Sequence, residues 1–539
     1  MKGGLLLMSM RNFTLIHLLL FATVAIFSTD PWPSLLLTIA QLVYVPIALR
    51  IVINKGDWFS KTYMYFAVPA YLAVALLQMT SSKWDSALAG VYLIFTIFIA
   101  VYGLSRFIKR GFTHLEEFAI DLGLMYLAIG GGWFFAAAAQ INTGFSPLLT
   151  WLTGIHFHYS AFLLPIFIGL LGRLSKSIMF NIIASILLVS PIIVAIGITY
   201  STWIEVGSVI LYIIGLSGLI YIAWKTAFTT QLQKWLLRIS FSSLGVTILF
   251  SLLYALGNRF GDIIVTIDFM LLFHGVLNCL GFGLFGIIGW SLFIPSTNFF
   301  KPTFPVSQIR GKWVIGEQIL DNKCCGNHQG LVEDMHNFEP QINCKTLSPL
   351  IISFYENTGD FRLFASTNWH LWFKPFALFY QLLSRNVKQI NLPFLRCTVE
   401  MTGELFTIKE GVDGREQVRA WVRKIQDKPV FIALYSKHVS HGRTYMNIAL
   451  PLPFSTMIGI LELNQIGEDL QLTSKKVSSP NSDAGIYLSY WKNELFKLPI
   501  QETFIIGEGM PGKGFAQHKM TIFGIPFLTI EYKIYAKAR

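Results

Sequence analysis

Apolar stretches long enough to cross a bilayer follow one another from the N-terminus to about residue 293 and then stop. Crossing roughly 30 Å of hydrocarbon takes about 17–25 mostly apolar residues in a helix. The pattern predicts spans at 12–28, 34–53, 62–79, 87–107, 118–140, 148–171, 179–200, 203–224, 236–256 and 265–293. The first is short, and the last is long enough to tilt or kink. Residues 1–28 have the outline of a signal peptide, with Lys2 and Arg11 ahead of an apolar run. No small-residue cleavage site follows, so the stretch reads as a retained first helix.

After Phe293 the pattern changes. IPSTNFFKPTFPVSQIRGKW carries three prolines and mixed polarity and reads as a linker. From about residue 311 short runs with strand periodicity alternate with turn residues. ELFTIKEGVDGREQVRAWVRKI places two such runs around Asp413-Gly414, and GILELNQIGEDLQLTS repeats the pattern around Gly467. The end, KMTIFGIPFLTIEYKIYAKAR, is rich in β-branched and aromatic residues. One helix is expected near 368–385, interrupted by Pro375. The expected fold is therefore an α-helical polytopic membrane bundle over 1–293, a linker over 294–310, and a mostly antiparallel, β-rich cytosolic domain over 311–539.

Composition and charge sharpen this picture. The chain is 53% hydrophobic and 13% charged, against roughly 25% charged residues in an ordinary soluble domain. Its formal net charge of +12 does not point to nucleic acid, because much of it follows topology. One set of span ends carries Lys2, Arg11, Arg50, Lys55, Lys61, Arg106, Lys109, Arg110, Arg173, Lys176, Lys225, Lys234 and Arg238, whereas the other carries Lys83 and Arg259. The basic set is expected to be cytoplasmic, which puts both termini inside and makes the lipid bilayer the first partner. Cys279, Cys324, Cys325, Cys344 and Cys397 lack the spacing of a disulfide framework. Cys324, Cys325, His328 and Cys344 also lack paired C-x2-C knuckles, so they read as thiols without a metal.

Candidate chemistry lies in the spans. GIHFHYSAFLLP puts His156, His158 and Tyr159 in an otherwise apolar run, and intramembrane ionisable groups usually face a bundle interior or a cavity. His156 and His158 point about 200° apart on an α-helix, whereas His156 and Tyr159 share a face. Pro165 leaves the carbonyl of Ala161 without its usual partner, so a local break is expected. At 1.5 Å per residue His156 lies roughly 12 Å, and His274 roughly 14 Å, below the outer edge. These two histidines, with His158, Tyr159, Asp268 and Asn278, are candidates for an intramembrane polar site near the midplane, His158 needing its own partner on another helix or a bound group. Asp121 is a second candidate, at the cytoplasmic end of a helix that continues into Gly130-Gly131-Gly132, where small residues allow close helix packing. Glu116 and Glu117 read as solvated loop residues, and His438, His441, Arg443 and His518 as exposed positions near strands. No Walker A loop, H-E-x-x-H or G-x-S-x-G signature occurs. GEGMPGKGFAQH, flanked by strands, reads as a turn and not a phosphate cradle.

GIHFHYSAF, together with GIYLSYWKNELFKLPIQETF and HKMTIFGIPFLTIEYKI in the tail, resembles the YndJ-like family of bacterial membrane proteins. The resemblance covers most of the chain and implies a multi-pass bacterial plasma-membrane protein. It supplies no activity, cofactor or catalytic residue. Three functions fit the pattern: transport or permeation of a small or weakly polar solute, regulated by the tail; a membrane-embedded lipid-, quinone- or haem-binding protein or enzyme using the histidines; or a membrane sensor or scaffold. The topology carries the first prediction. Reporter fusions after Arg110 and after Arg310 are expected to behave as cytosolic and one after Thr143 as external; an external reading after Arg310 would reverse the orientation.

Overall fold

The computed structural model describes residues 9–54, 56–261, 265–297, 302–479, 481–490 and 493–537. The chain divides into two compact units, Met1–Ile108 with His114–Phe299, and Lys109–Thr113 with Phe300–Arg539.

The first unit is helical. Nine helices among the described residues are long and apolar enough to span a membrane: α2 (Trp32–Val52), α3 (Trp58–Met79), α4 (Asp85–Arg110), α5 (Leu115–Ala138), α6 (Pro147–Leu174), α7 (Ile178–Tyr200), α8 (Thr202–Lys225), α9 (Gln231–Phe260) and α10 (Ile267–Leu292). Before them comes α1 (Met10–Ile26), whose 17 residues sit at the short end of the spanning range. The ends follow local chemistry. The Ser146 hydroxyl accepts from the Leu149 N–H, with Pro147 at the first helical position, and Ser177, Thr230 and Thr266 cap the starts of α7, α9 and α10 in the same way. Gly261, at φ 80°, ends α9 in the left-handed conformation that glycine adopts without strain.

Several spans are not uniformly α-helical. Wider π-helical turns occupy Ala40–Tyr44 in α2, Phe157–Leu163 in α6, and Met270–Gly275 and Leu277–Leu284 in α10. Two of them lie just ahead of a proline, Pro46 or Pro165, which has no N–H for the turn before it. At Pro46 the consequence is visible: the Leu42 carbonyl accepts from His17 Nδ1 of α1 at 2.7 Å.

The second unit is built on a 13-stranded antiparallel sheet. Its strands are β1 (Cys324–Asn327), β2 (Phe361–Trp369), β3 (Thr398–Ile408), β4 (Arg419–Ile425), β5 (Lys428–Ser440), β6 (Arg443–Leu452), β7 (Ser455–Ile466), β8 (Asp469–Thr473), β9 (Gly485–Tyr490), β10 (Glu494–Lys497), β11 (Ile500–Met510), β12 (Lys513–Ile522) and β13 (Ile525–Ala536). The pairing runs from β7 through β6, β5, β4, β3, β2, β13, β12 and β11 to β8, and β8 pairs back with β7. This closes a barrel, so that none of these strands is an edge strand. β9 and β10 extend outward from β7, and β1 lies on β3.

Turn chemistry sets the register. Ile466 pairs with Asp469 across Gly467, Met510 with Lys513 across Gly512, and Ile522 with Ile525 across Phe523-Gly524. All four of those turn and flanking positions that need it, Gly467, Gly512, Phe523 and Gly524, have positive φ. Asp413-Gly414 behaves differently from its expected tight hairpin. It lies in the long connection from Ile408 to Arg419, where Asp413 is buried and bonded to Arg415 at 2.6 Å. Pro375 opens the helix Lys374–Val387 and does not interrupt it, because the first helical turn needs no N–H there. Part of the expected linker is ordered within this unit: Phe304 and Ile309 are buried, and Thr456 donates to the Ile309 carbonyl.

The triple glycine of α5 is a packing seam on two of its three faces. A Cβ on Gly131 would collide with Thr96 of α4, one on Gly130 would press on Phe157 and His158 of α6, and one on Gly132 would meet open space. Gly131→Leu is expected to destabilise the detergent-solubilised protein by about 1–3 kcal/mol through overpacking, while Gly132→Ala is close to neutral. Thermal unfolding of the two variants side by side checks this.

Candidate functional site in the membrane unit

Three π-helical segments, in α2, α6 and α10, touch one another. With the π turns Met270–Gly275 of the same α10, they carry Gln41, Tyr44, His158, Tyr159, His274 and Asn278. Widened turns of this kind are rare and recur at functional sites.

His158 is buried. Its Nδ1 donates to the Gly154 carbonyl at 2.7 Å, and in a neutral ring this leaves Nε2 as an acceptor for the Tyr92 hydroxyl of α4 at 2.8 Å. The ring stacks near-parallel on Tyr92. Tyr159 donates to the Leu36 carbonyl of α2 at 2.7 Å and meets Tyr44 edge-on at 5.9 Å. Tyr44 in turn donates to the Cys279 carbonyl of α10 at 2.8 Å. Both residues thus tie spans together with every polar atom used, as hydrocarbon demands.

His156 is different. It is exposed, and among the described residues its ring has no hydrogen-bond partner. Its neighbour is His274 of α10, with ring centroids 6.3 Å apart and the planes tilted by 63°. His274 Nδ1 donates to the Thr247 carbonyl of α9 at 3.1 Å, with Ser251 Oγ at 3.5 Å. In a neutral ring the His274 Nε2 lone pair then stays available. Thr247 Oγ1 donates to Asn278 Oδ1 at 2.8 Å. His156, His274, Ser251, Thr247 and Asn278 therefore form one polar group on α6, α9 and α10.

The remaining sequence candidates fall elsewhere. Asp268 is exposed in the first turn of α10, where the positive end of the helix dipole suits a carboxylate. Tyr159 faces α2 and Cys279 and not His274. Asp121 is buried and joined to Arg106 Nε at 2.7 Å. Arg106 also donates to the Val52 carbonyl and to Glu117, and Glu117 takes a two-pronged contact from Arg173 at 2.7 and 3.0 Å. Glu116 is buried beside Lys176. The expectation that Glu116 and Glu117 are solvated is thus overturned: each lies opposite a cation that the topology had already placed at this end of the bundle. In the barrel unit His438 and His518 are likewise buried, on Asp483 and Glu502, because both sit on strands and not in loops: by alternation His518 shares the lumen face with Ala516, and His438 lies on the other face against Phe304 and Tyr445.

Sequence reasoning missed Tyr92, Tyr44, Gln41, His17, Thr247 and Ser251. Single tyrosines and hydroxyl residues in a span look like ordinary interfacial or packing residues until their partners are known. The Gln41 amide nitrogen is buried without a hydrogen-bond partner.

The YndJ-like family model matches residues 35–282, the part that holds all these spans except the first. An uncharacterised membrane protein, YndJ of Bacillus subtilis strain 168, is 38% identical over 477 residues, covering 87% of this chain and 86% of its own length. The chain belongs to the YndJ-like family. It is a multi-pass membrane protein, and no solved structure matches it. The family model ends inside α10, so it includes His156, His158, Tyr159 and His274 and leaves out the barrel.

The charged cluster gives a direct test. Arg106→Met would remove a buried cation from beside Asp121 and Glu117, at a cost of about 3–5 kcal/mol. The double replacement Arg106→Met with Asp121→Leu is expected to recover much of the loss in a thermal melt. No recovery would mean that the pair is not the source of the cost.

Proposed function

We propose that the membrane unit binds and passes a small or weakly polar solute through a crevice whose innermost polar station is the His156–His274 pair, and that the β-barrel unit modulates it. The observation that carries this reading is the contrast between the two histidines of one helix. His158 uses both ring nitrogens within the protein. His156 uses neither, is exposed, and sits near the middle of a membrane helix. An imidazole facing lipid would leave polar atoms unsatisfied at a cost of several kcal/mol. Water or a solute supplies the missing partner. The hydroxyls of Ser251 and Thr247 and the amide of Asn278 continue the polar surface along α9 and α10, which suits a neutral hydrogen-bonding solute better than an ion. Wider π turns beside this surface are segments whose hydrogen bonding can shift register without unwinding the helix.

A binding protein for a quinone or lipid headgroup is the second reading. It is favoured by the His274 Nε2 lone pair, which accepts a hydrogen bond from a ligand hydroxyl as readily as from water.

Accessibility separates a water-filled crevice from a lipid-facing surface. In a cysteine-free background, His156→Cys and His274→Cys are expected to react with a small, charged, membrane-impermeant thiol reagent in intact membranes. Leu280→Cys, on an exposed apolar position of the same helix as His274, is expected not to react. Equal inertness at all three positions would sink the reading.

A further inference from the structure

The barrel lumen holds a cation, Arg423, that has no ion-pair partner among the described residues. Along β4 the inward positions are Trp421 and Arg423, and Arg423 is only 8% exposed. The guanidinium lies over the Trp421 ring at 3.6 Å and the Phe431 ring at 4.7 Å, with Tyr532 at 5.6 Å. The guanidinium makes a long hydrogen bond to the Tyr532 hydroxyl, 3.5 Å, and its Nε is buried without a partner among the described residues. A guanidinium carries five N–H donors in a planar fork. Among the described residues no carboxylate comes within ion-pairing distance. The carboxylate of the lumen, Glu502, is taken by His518 at 3.1 Å. The tyrosines cannot supply the charge either, because burial holds the Tyr435 and Tyr532 hydroxyls above the ordinary phenol range despite the nearby arginine.

A buried, unpaired charge is costly, and cation–π contacts recover about 0.5–2 kcal/mol each. The arrangement makes sense if an anion completes it. Beside Arg423 lies a cavity of about 50 Å³, lined otherwise by apolar side chains that include Leu363, Met446, Leu472 and Ile506. That is room for roughly four waters, or a carboxylate with a short alkyl stub. A second cavity, of about 100 Å³, shares Phe354, Leu363 and Trp421 with the first and carries Arg362, Lys537 and Glu400 on its walls. Arg362 and Glu400 cancel at 2.7 Å, so Lys537 leaves this outer chamber with a cationic balance. Each of the two cavities thus carries one net positive charge, Lys537 in the outer and the aromatic-walled guanidinium of Arg423 in the inner.

We propose that the barrel is a receptor for a short-chain monocarboxylate, its carboxylate forked onto Arg423 and hydrogen-bonded by Tyr532, and its alkyl part against the apolar wall. Bidentate pairing with a carboxylate is what the guanidinium fork is shaped for. The proposal is independent of the membrane site, since it rests on the barrel alone.

The test uses the full chain in detergent, with butyrate and hexanoate as probes and butyramide and inorganic phosphate as controls, read by saturation-transfer NMR. At least one acid is expected to bind the native protein, with butyramide and phosphate weaker by about tenfold or more. Arg423→Met, with its barrel fold verified by near-ultraviolet circular dichroism, is expected to lose the signal. If that variant does not fold, Arg423→Lys decides: it keeps the charge but not the fork, and is expected to bind about tenfold more weakly. The proposal is overturned if neither acid binds at about 10 mM, if the amide or phosphate binds as well as the acids, or if the arginine variants bind like the native chain.

Discussion

Inside hydrocarbon a polar group must find its partner within the protein, and the membrane unit is organised around that requirement. Arg106, Asp121, Glu117 and Arg173 satisfy one another at one end of the bundle. His17, Tyr92, His158, Tyr159 and Tyr44 do the same deeper in, each across a gap between helices. These contacts are long-range in sequence and fix which spans are neighbours, a task that interchangeable aliphatic contacts perform poorly in lipid. Against this background His156 stands out, because among the described residues neither of its ring nitrogens has a hydrogen-bond partner and the residue is exposed.

The backbone shows the same logic. Pro46 removes an N–H from the turn that follows Leu42, and His17 takes up the carbonyl. Pro165 follows the π turns of Phe157–Leu163, which carry His158 and Tyr159 and lie directly after His156. In α10 no proline is present, and glycines at 275, 281 and 283 let neighbours approach instead: a Cβ on Gly283 would run into Tyr44, and one on Gly281 into Ser243. The polar site thus sits where helices are both closely packed and wider than an α-helix. That combination brings side chains from α6, α9 and α10 together and leaves His156 exposed.

How much of this was legible in the sequence depends on the range of the interaction. Span positions follow from apolar length, and each of the expected ten overlaps a helix. The hairpins at Gly467, Gly512 and Gly524 follow from residues a few positions apart. Barrel closure through β7 and β8 does not, because it needs β8 to pair on both sides with strands whose spacing no local pattern encodes. Within the site, helical periodicity already pointed His156 and His158 in opposite directions, and each does meet a different helix. Their partners, Tyr92 and His274, could not be chosen from many equivalent positions without the helix packing. The burial of Glu116 and Glu117 was hidden for a related reason: a carboxylate in a basic loop looks solvated until the helix end that covers it is known.

The central claim is that His156, and not His158, is open to water or solute in the middle of the membrane. Solid-state NMR of the protein in lipid bilayers, with ¹⁵N-labelled histidine and His156 assigned by substitution, measures it directly through magnetisation transfer from water to each ring. The account predicts rapid transfer to His156, slower transfer to His274, and transfer to His158 that is slower still because its nitrogens are closed off by Gly154 and Tyr92. A His156 ring as isolated from water as His158 would contradict it.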